Sequence, residues 1–491
     1  MTTLKTTIAL MGCLLLSSAP LPSRAAAGDN AETALLTLEI TQAPTPGEEV
    51  APGEETLPAA EPLPPPVEFY NSGVGRFNGG DYPGAIADFD EAIRQRPDYA
   101  EAFMYRGAAY SELGNLTEAI ASLNQAIRLD PTLAQAYLLR GTAYYELGDV
   151  QRAITDVQTA LIHDPTLVNG YLYQGLVDVQ AGDPETAIAS FTEAIRLNPD
   201  QLNAYILRGF AYDKQGNYQA AIADFSYVIE RERVSPIAYV GRGAAFYHQG
   251  ELREAERDLD IAIRYAPSSA IAYYNRSFVY AAQNRPTRAI RDLNEAVKHN
   301  PEFFDAYLSR GLLQADLQDY AAALEDFDLA LALNPNSARA YRYRAEVRIA
   351  MGDERGALAD YSESLILDGG NAEVYKARGD VRLSRGDLPG ALGDYNQAIF
   401  LNPSYTDAYA ARGLAYGQAG DPQRAYDDLS LVIALTEDNI DPDVLYQRGV
   451  SRLRLGDRFG ARSDLEQAAA RYLETGQAEP YRQTLQQLRQ F

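Results

Sequence analysis

The chain has very few of the cysteine and histidine residues that form disulfides and bind metals. Cysteine occurs once, as Cys13, and histidine three times, as His163, His248 and His299. A single cysteine excludes an intramolecular disulfide and a cysteine-based zinc site. No two of the histidines stand at the i, i+4 spacing of a helical zinc-binding motif. We therefore expect no metal site.

Catalytic motifs are missing as well. The sequence contains neither a glycine-rich phosphate loop nor a nucleophile elbow, the short motifs that present backbone amides to phosphates or an activated serine to a substrate. Neighbouring acids such as Asp427 and Asp428 are interpreted as a solvated helix face. The sequence thus predicts a protein that is not an enzyme and binds no cofactor.

Basic residues are outnumbered by acidic ones. Lys and Arg total 43 against 68 Asp and Glu, which gives a formal net charge of −25. Nucleic acids and anionic membrane surfaces attract proteins with the opposite balance, so neither is expected as a partner. A hydrophobic content of 46% is normal for a folded protein. The 491 residues exceed what one hydrophobic core holds, which predicts several domains or a repeat array.

Residues 1–27 resemble an export signal. Lys5 precedes the apolar stretch TIALMGCLLL, and three alanines ending at Ala27 offer a cleavage site. The apolar stretch is too short for a stable membrane span. We expect an exported protein, in the periplasm or outside the cell, cleaved near Ala27. The sequence LMGC also resembles a bacterial lipoprotein processing site, so a lipid anchor at Cys13 is the second interpretation.

Residues 28–66 have a different composition. This stretch contains eight acidic residues, eight prolines and no basic residue. Such a segment buries too little apolar surface to fold alone, and its prolines favour extended chain. We predict a disordered linker rich in proline and acid.

The remainder of the chain repeats itself. A glycine, which we call the anchor position, recurs every 34 residues, with Ser or Ala in its place twice and a last step of 36 residues. An alanine stands twelve residues after every anchor position, and an aromatic residue stands four residues before all but the last. The anchor positions are Gly73, Gly107, Gly141, Gly175, Gly209, Gly243, Ser277, Gly311, Ala345, Gly379, Gly413 and Gly449. This register predicts twelve copies of one structural unit.

Each copy has the pattern of two helices joined by a tight turn. Tyr137, Gly141 and Tyr144 form one apolar face at helical spacing, and a second such face follows from Ala153. The intervening LGD combines a helix-ending glycine with a helix-capping aspartate. A single copy cannot bury its apolar face, but stacked copies can, which predicts a solenoid.

The pattern in this 34-residue register resembles the tetratricopeptide repeat, because it contains an aromatic residue, Gly, Tyr, Ala and Pro in that order. The resemblance extends from about Pro66 to the C-terminus. It implies an all-α, right-handed superhelical solenoid of helix–turn–helix repeats. We expect about twelve repeats over residues 67–473 and a C-terminal capping helix over residues 474–491, with Tyr481, Leu485 and Leu488 on its apolar face.

One departure from the family pattern is systematic. Arginine, rather than the usual leucine, precedes the anchor position in ten repeats, and aspartate follows most of these arginines sixteen residues later, as in Arg140 and Asp156. We predict an ion pair between the two helices of a repeat. The alternative is a row of arginines that binds anions.

The resemblance also implies a protein- or peptide-binding function and its site. Family members bind protein segments in a concave groove lined by the first helix of each repeat. The corresponding residues here are apolar or aromatic in repeats three to eight and charged in repeats nine and ten. The peptide-groove candidates are Leu138, Thr142, Tyr145, Leu172, Leu176, Val179, Ile206, Phe210, Tyr247, Tyr274, Phe278, Leu308, Leu312, Arg342, Glu346, Lys376 and Asp380.

The function expected from these features is that of an exported scaffold or adaptor in the assembly of protein complexes. Two alternatives are kept open: a structural subunit of an envelope or secretion machine, and a holdase-like chaperone. The sequence does not name the partner.

Overall fold

The computed structural model describes residues 65–436, 440–489 and 491, and every regular element within these ranges is an α-helix. The predicted export signal, Cys13 and nearly all of the predicted linker lie outside them. The helices are α1 Pro65–Asn78, α2 Tyr82–Gln95, α3 Ala100–Glu112, α4 Leu116–Leu129, α5 Ala134–Glu146, α6 Val150–His163, α7 Val168–Gln180, α8 Pro184–Leu197, α9 Leu202–Gln215, α10 Tyr218–Arg231, α11 Pro236–Gln249, α12 Leu252–Tyr265, α13 Ala270–Ala282, α14 Pro286–His299, α15 Phe304–Asp316, α16 Tyr320–Leu333, α17 Ala338–Ala350, α18 Glu354–Leu367, α19 Ala372–Ser384, α20 Leu388–Leu401, α21 Thr406–Gln418, α22 Pro422–Thr436, α23 Pro442–Arg454, α24 Arg458–Glu474 and α25 Ala478–Leu488. The all-α class is confirmed. None of these helices is both long and apolar enough to cross a membrane.

Each repeat contributes one odd-numbered and one even-numbered helix, here called its first and second helix. The turn between α5 and α6 shows why the chain reverses there. Gly148 adopts a left-handed φ of 77°, a conformation that costs other residues energy. The carboxylate of Asp149 then accepts a hydrogen bond from the Arg152 backbone N–H at 3.1 Å, which caps α6. The LGD sequence therefore specifies the helix–turn–helix unit.

The chain divides into two compact parts. The first extends to Pro301 and contains repeats one to seven. The second begins at Glu302 and contains repeats eight to twelve, followed by the C-terminal helix α25. Each part has its own core of apolar side chains from first and second helices.

The anchor position lies against the side chain sixteen residues later in its own repeat. A Cβ atom added at Gly209 would approach the ring of Phe225 to 2.9 Å, and the same ring lies against Gly241 in the following first helix. Phe225 itself has no exposed surface. One ring therefore fills the space between the first helices of two successive repeats, so each repeat buries apolar surface against its neighbour.

The C-terminal helix covers the last repeat. Tyr481 of α25 packs against a cluster that contains the buried residues Leu445 and Tyr472. Thr484 is buried, whereas Arg482 is exposed. One face of α25 thus contacts the last repeat while the other faces water, as a terminal cap requires.

Replacing Gly175 by alanine is expected to destabilise the protein by about 1–3 kcal/mol, because the new methyl group would lie 2.5 Å from Cε1 of the fully buried Phe191. Gly75→Ala is the matched control, since no atom lies within 4 Å of its added Cβ. Alanine is the better helix former, so this variant should gain about 0.5–1 kcal/mol. Urea unfolding followed by far-UV circular dichroism measures both. Equal stabilities of the two variants would contradict the packing described here.

Candidate functional site

The predicted ion pair between the two helices of a repeat is confirmed. In Arg140, Nε donates to Asp156 Oδ2 and Nη2 donates to Asp156 Oδ1, both at 2.7 Å. The same two-bond arrangement joins Arg208 to Asp224, Arg242 to Asp258, Arg276 to Asp292, Arg310 to Asp326, Arg344 to Asp360, Arg378 to Asp394, Arg412 to Asp428 and Arg448 to Asp464. These guanidinium groups bind aspartate within the solenoid, so they do not form the row of free arginines that was the alternative.

Repeat four has no arginine before its anchor position, and its two helices are joined by hydrogen bonds from neutral side chains to an aspartate. Gln174 Nε2 donates to Asp178 Oδ1 at 2.8 Å, and Ser190 Oγ donates to Asp178 Oδ2 at 3.4 Å. Asp178 lies in the first helix and Ser190 in the second. A carboxylate with hydrogen-bonded neighbours thus still joins the two helices.

A further contact of the arginines was not predicted. Nη1 of Arg140 donates to Asn124 Oδ1 at 2.6 Å, and Nη1 of Arg276 donates to Asp260 Oδ1 at 2.7 Å. Asn124 and Asp260 belong to the preceding repeat. Each of these two arginines therefore joins three helices from two repeats. The signal was present in the sequence, because an acceptor side chain stands sixteen residues before each of them.

Most of the apolar peptide-groove candidates are buried. The buried members are Leu138, Thr142, Tyr145, Leu172, Leu176, Val179, Ile206, Phe210, Tyr274, Phe278 and Leu308, whereas Tyr247 and Leu312 keep part of their surface. Phe210 packs edge to face on Phe225, with ring centroids 5.0 Å apart. These side chains take part in the packing of the described chain. That they also contact a partner stays a prediction.

The charged candidates lie in the second part and interact with groups of that part. Arg342 Nη1 lies 3.4 Å from Glu373 Oε2, and Lys376 Nζ lies 2.8 Å from Asp380 Oδ2. Asp380 also accepts a hydrogen bond from the Tyr395 hydroxyl at 2.9 Å. The fourth candidate, Glu346, is an exposed residue whose charge acts on Arg342. Both positive candidates therefore interact with acidic side chains of the second part.

A row of polar side chains in the first part was not among the predicted site residues. Its members stand five residues after the anchor position, in the last turn of successive first helices, and we call them the polar row: Glu112, Glu146, Gln180, Lys214 and His248. The constant spacing of 34 residues was the signal that could have identified them. Because first helices stack in register, these side chains form one continuous strip.

The polar row has acidic side chains at one end and basic side chains at the other. Glu146 is only 7% exposed. Burial raises its pKa from the ordinary 4.5 to about 8, and the nearby charge of Glu112 adds to the effect. At the other end, Lys214 Nζ donates to the Val179 carbonyl at 3.4 Å, and His248 Nδ1 lies 3.0 Å from Asp213 Oδ1. The strip is acidic in repeats two and three and basic in repeats five and six.

Glu146→Gln is expected to remove a pH dependence from the stability of the protein. A carboxyl group whose pKa is raised by folding stabilises the folded state fully below about pH 4.5, and this stabilisation is lost as the pH rises to about 8. The wild type should lose up to about 1.4 kcal/mol per pH unit in this window relative to the variant. Urea midpoints measured across the window give the two curves. The exposed Glu118→Gln should follow the wild type, and parallel curves for Glu146→Gln would contradict the assignment.

Comparison with known proteins agrees with the architecture. Family models described as "TPR repeat" match residues 76–114, 107–148 and 379–420. Models described as "Tetratricopeptide repeat" match residues 172–231, 211–270, 240–293 and 279–338, and another matches residues 443–472. No curated protein sequence matches the chain.

The chain is also similar to several solved structures, each with a TM-score below 0.5. A tetratricopeptide repeat protein from Parabacteroides merdae is 22% identical over 51% of this chain and 98% of its own, with a TM-score of 0.43. A chain of the Cut9–Hcn1 heterotetramer of the APC/C is 14% identical. The match covers 79% of this chain and 96% of that one, with a TM-score of 0.42. Yeast Tom70 is 17% identical over 86% of this chain and 95% of its own, with a TM-score of 0.36.

The family matches together cover more than half of the chain, and they coincide with the helix pairs of the described structure. This repeat is typical of scaffolds for protein–protein interaction, and its members bind protein partners. The chain therefore belongs to the tetratricopeptide repeat family.

Proposed function

We propose that this protein is an exported, non-enzymatic scaffold or adaptor that binds a polypeptide segment along the first helices of its repeats during the assembly of protein complexes. The observation that carries the proposal is the extent of the array. Twelve repeats and one terminal helix account for the described chain from Pro65 onward. A stacked array offers a long continuous surface, which suits an extended or helical partner segment.

The polar row supports a role for this surface in binding. Side chains that only hold the solenoid together are paired, as the bonds between Arg140 and Asp156 illustrate. By contrast, the amide oxygen of Gln180 is buried and has no hydrogen-bond partner in the described part of the chain. Buried polar atoms without partners are costly, so a partner that supplies donors would stabilise this face.

A second candidate, a structural subunit of a larger machine, is favoured by a different observation. Second helices of the second part carry exposed apolar side chains near their C-terminal ends. Ile366 of α18 is 73% exposed and Phe400 of α20 is 77% exposed. Both stand 21 residues after their anchor position. At the same position in the first part stands arginine in α2, α4, α8 and α12, and the 77% exposed Ile162 in α6. Neighbouring exposed apolar residues mark protein contacts.

Site-specific photo-crosslinking distinguishes these functions. A photoreactive amino acid is placed at Tyr247, Leu312 or Asp380 on first helices, and separately at Ile366 or Phe400 on second helices. The full chain is then irradiated in its source cells. The adaptor function predicts one crosslinked protein from the first-helix positions and none from the second-helix positions. The reverse result supports the structural subunit, and many weakly crosslinked proteins would indicate a holdase.

Export is a proposal supported by the composition of residues 1–27 alone. Mass spectrometry of the mature N-terminus tests it. Cleavage after Ala27 should leave Gly28 as the first residue of the mature chain. An N-terminal lipid-modified Cys13 would support the lipoprotein interpretation instead, and an intact Met1 in the cell interior would contradict both.

A further inference from the structure

We propose that the acidic end of the polar row, formed by Glu112 and Glu146, is a seat for a lysine or arginine side chain of the bound polypeptide. Tyr173 and Gln180 supply additional hydrogen-bond acceptors to the bound cation. This inference rests on the proposed function and specifies the chemistry of the partner.

Within the part of the chain that the structure describes, neither carboxyl group has a basic partner. No lysine, arginine or histidine within residues 65–436 forms an ion pair with either, and Glu112 instead accepts a hydrogen bond from the Tyr82 hydroxyl at 3.3 Å. Burying a carboxylate without a partner is unfavourable. The aspartates of the helix–helix pairs are equally buried, but each has its arginine. Glu146 therefore differs from them in having no basic partner among the described residues, and burial favours its protonated form instead.

Several buried polar atoms without hydrogen-bond partners occur in the same repeats. The hydroxyl group of Tyr173 is buried and has no hydrogen-bond partner in the described chain, and the residue is only 5% exposed. This phenol lies near the acidic end, because burial raises its pKa and the charges of Glu146 and Glu112 add to the effect. The buried Ser111 Oγ and Gln180 Oε1 are also without partners among the described residues. Ser111 directly precedes Glu112, and Gln180 follows Glu146 in the polar row.

The chemistry of these groups selects the ligand. Carboxylate and amide oxygens accept hydrogen bonds, and hydroxyl groups can also accept them. A lysine ammonium group offers three donors and an arginine guanidinium group offers five, and neither accepts. A basic side chain would thus donate to the unpartnered acceptors, and its charge would stabilise the ionised form of Glu146. Glu112 is only partly buried, so the strip opens to solvent at this end.

Binding of a cation should be coupled to the proton of Glu146. The ionisable groups that act on Glu146 from helices around it are Glu112 of α3 and Tyr173 of α7, and no ionisable group of the described α4 or α6 does so. Near neutral pH the free protein holds a proton on Glu146, whose pKa is about 8. A bound cation favours the carboxylate, so binding should release this proton. Affinity should therefore rise as the pH approaches 8, where lysine is still charged.

The test selects random short peptides for binding to the immobilised full-length wild type, Glu146→Gln and Glu118→Gln. Glu118→Gln is the matched control, because it makes the same replacement at an exposed glutamate of the second helix α4, outside the polar row. We expect the wild type and Glu118→Gln to enrich peptides with a lysine or arginine between apolar residues. Glu146→Gln should bind these peptides at least about tenfold more weakly, the range for a hydrogen bond to a charged group. Circular dichroism checks that all three proteins are folded.

Titration calorimetry of one enriched peptide completes the test. Replacing its basic residue by norleucine should cost the wild type about the same tenfold and Glu146→Gln nothing. The wild-type affinity should rise between about pH 6.5 and pH 8, whereas that of the variant should not. Enriched peptides without a basic residue, or equal binding by Glu146→Gln, would contradict the binding of a basic side chain at Glu112 and Glu146. Either result would not count against the scaffold function. Failure of the wild type to enrich any peptide would count against the scaffold function itself.

Discussion

Replacing Arg208 by alanine is expected to lower the free energy of unfolding by about 3–5 kcal/mol. Its guanidinium group donates to both oxygens of Asp224 at 2.8 Å, and Nη1 donates to Thr192 Oγ1 in the preceding repeat at 3.1 Å. Asp224 is only 7% exposed. The variant would leave this carboxylate buried without its cation and would also break one contact between repeats, which explains the large effect.

Urea unfolding of the full chain measures the loss. The control is Arg94→Ala, which removes an exposed ion pair with Glu91 and should leave the unfolding midpoint unchanged. A double replacement, Arg208→Met with Asp224→Leu, should recover much of the lost stability, because apolar side chains of similar size need no compensating charge. If Arg208→Ala unfolds like the wild type, the inter-helix pairs contribute little and the core alone holds the repeats.

Replacing Phe225 by alanine is the second large change, with an expected loss of about 3–5 kcal/mol. The ring is fully buried. It lies against the backbone of Gly209 in its own repeat and of Gly241 in the next, and it packs edge to face on Phe210. Truncation would therefore open a cavity at two helix interfaces at once, and the neighbouring backbone can close only part of it.

Phe400→Ala is the matched control for this loss. The same atoms are removed from a second helix, but Phe400 is 77% exposed, so stability should change by no more than about 0.5 kcal/mol. Thermal and urea unfolding of both variants give the comparison. Similar losses for Phe225→Ala and Phe400→Ala would show that burial between successive repeats is not what makes the aromatic position important.

The local structure was predictable because its causes lie close together in the chain. The anchor glycines, the alanines twelve residues later and the LGD turns predict the helix pairs, and the structure places them as expected. The pairing of Arg140 with Asp156 was also predictable. Both residues recur in a fixed register, so a single geometry of the helix pair serves nearly every repeat.

The candidate site was less predictable, since it depends on how repeats face one another. Leu172 and Phe210 were predicted to line a groove, yet they are 1% exposed, and their contact with a partner remains a prediction. The polar row was overlooked, although Glu146 lies directly after the candidate Tyr145. Periodicity identifies which residues share a face, but it does not give the exposure of that face.

The sequence by itself determined the repeat, its two helices, the capped turn between them and the arginine–aspartate pair, because each depends on residues within one 34-residue register. Only the tertiary structure decided that the third donor of Arg140 reaches Asn124 of the preceding repeat, that Phe225 lies against two first helices, and that Glu146 is buried with no basic partner among the described residues. These features arise where one repeat meets the next. There, the distance between helices and the exclusion of water determine the contacts and the charges. The spacing of residues along the chain predicts neither quantity.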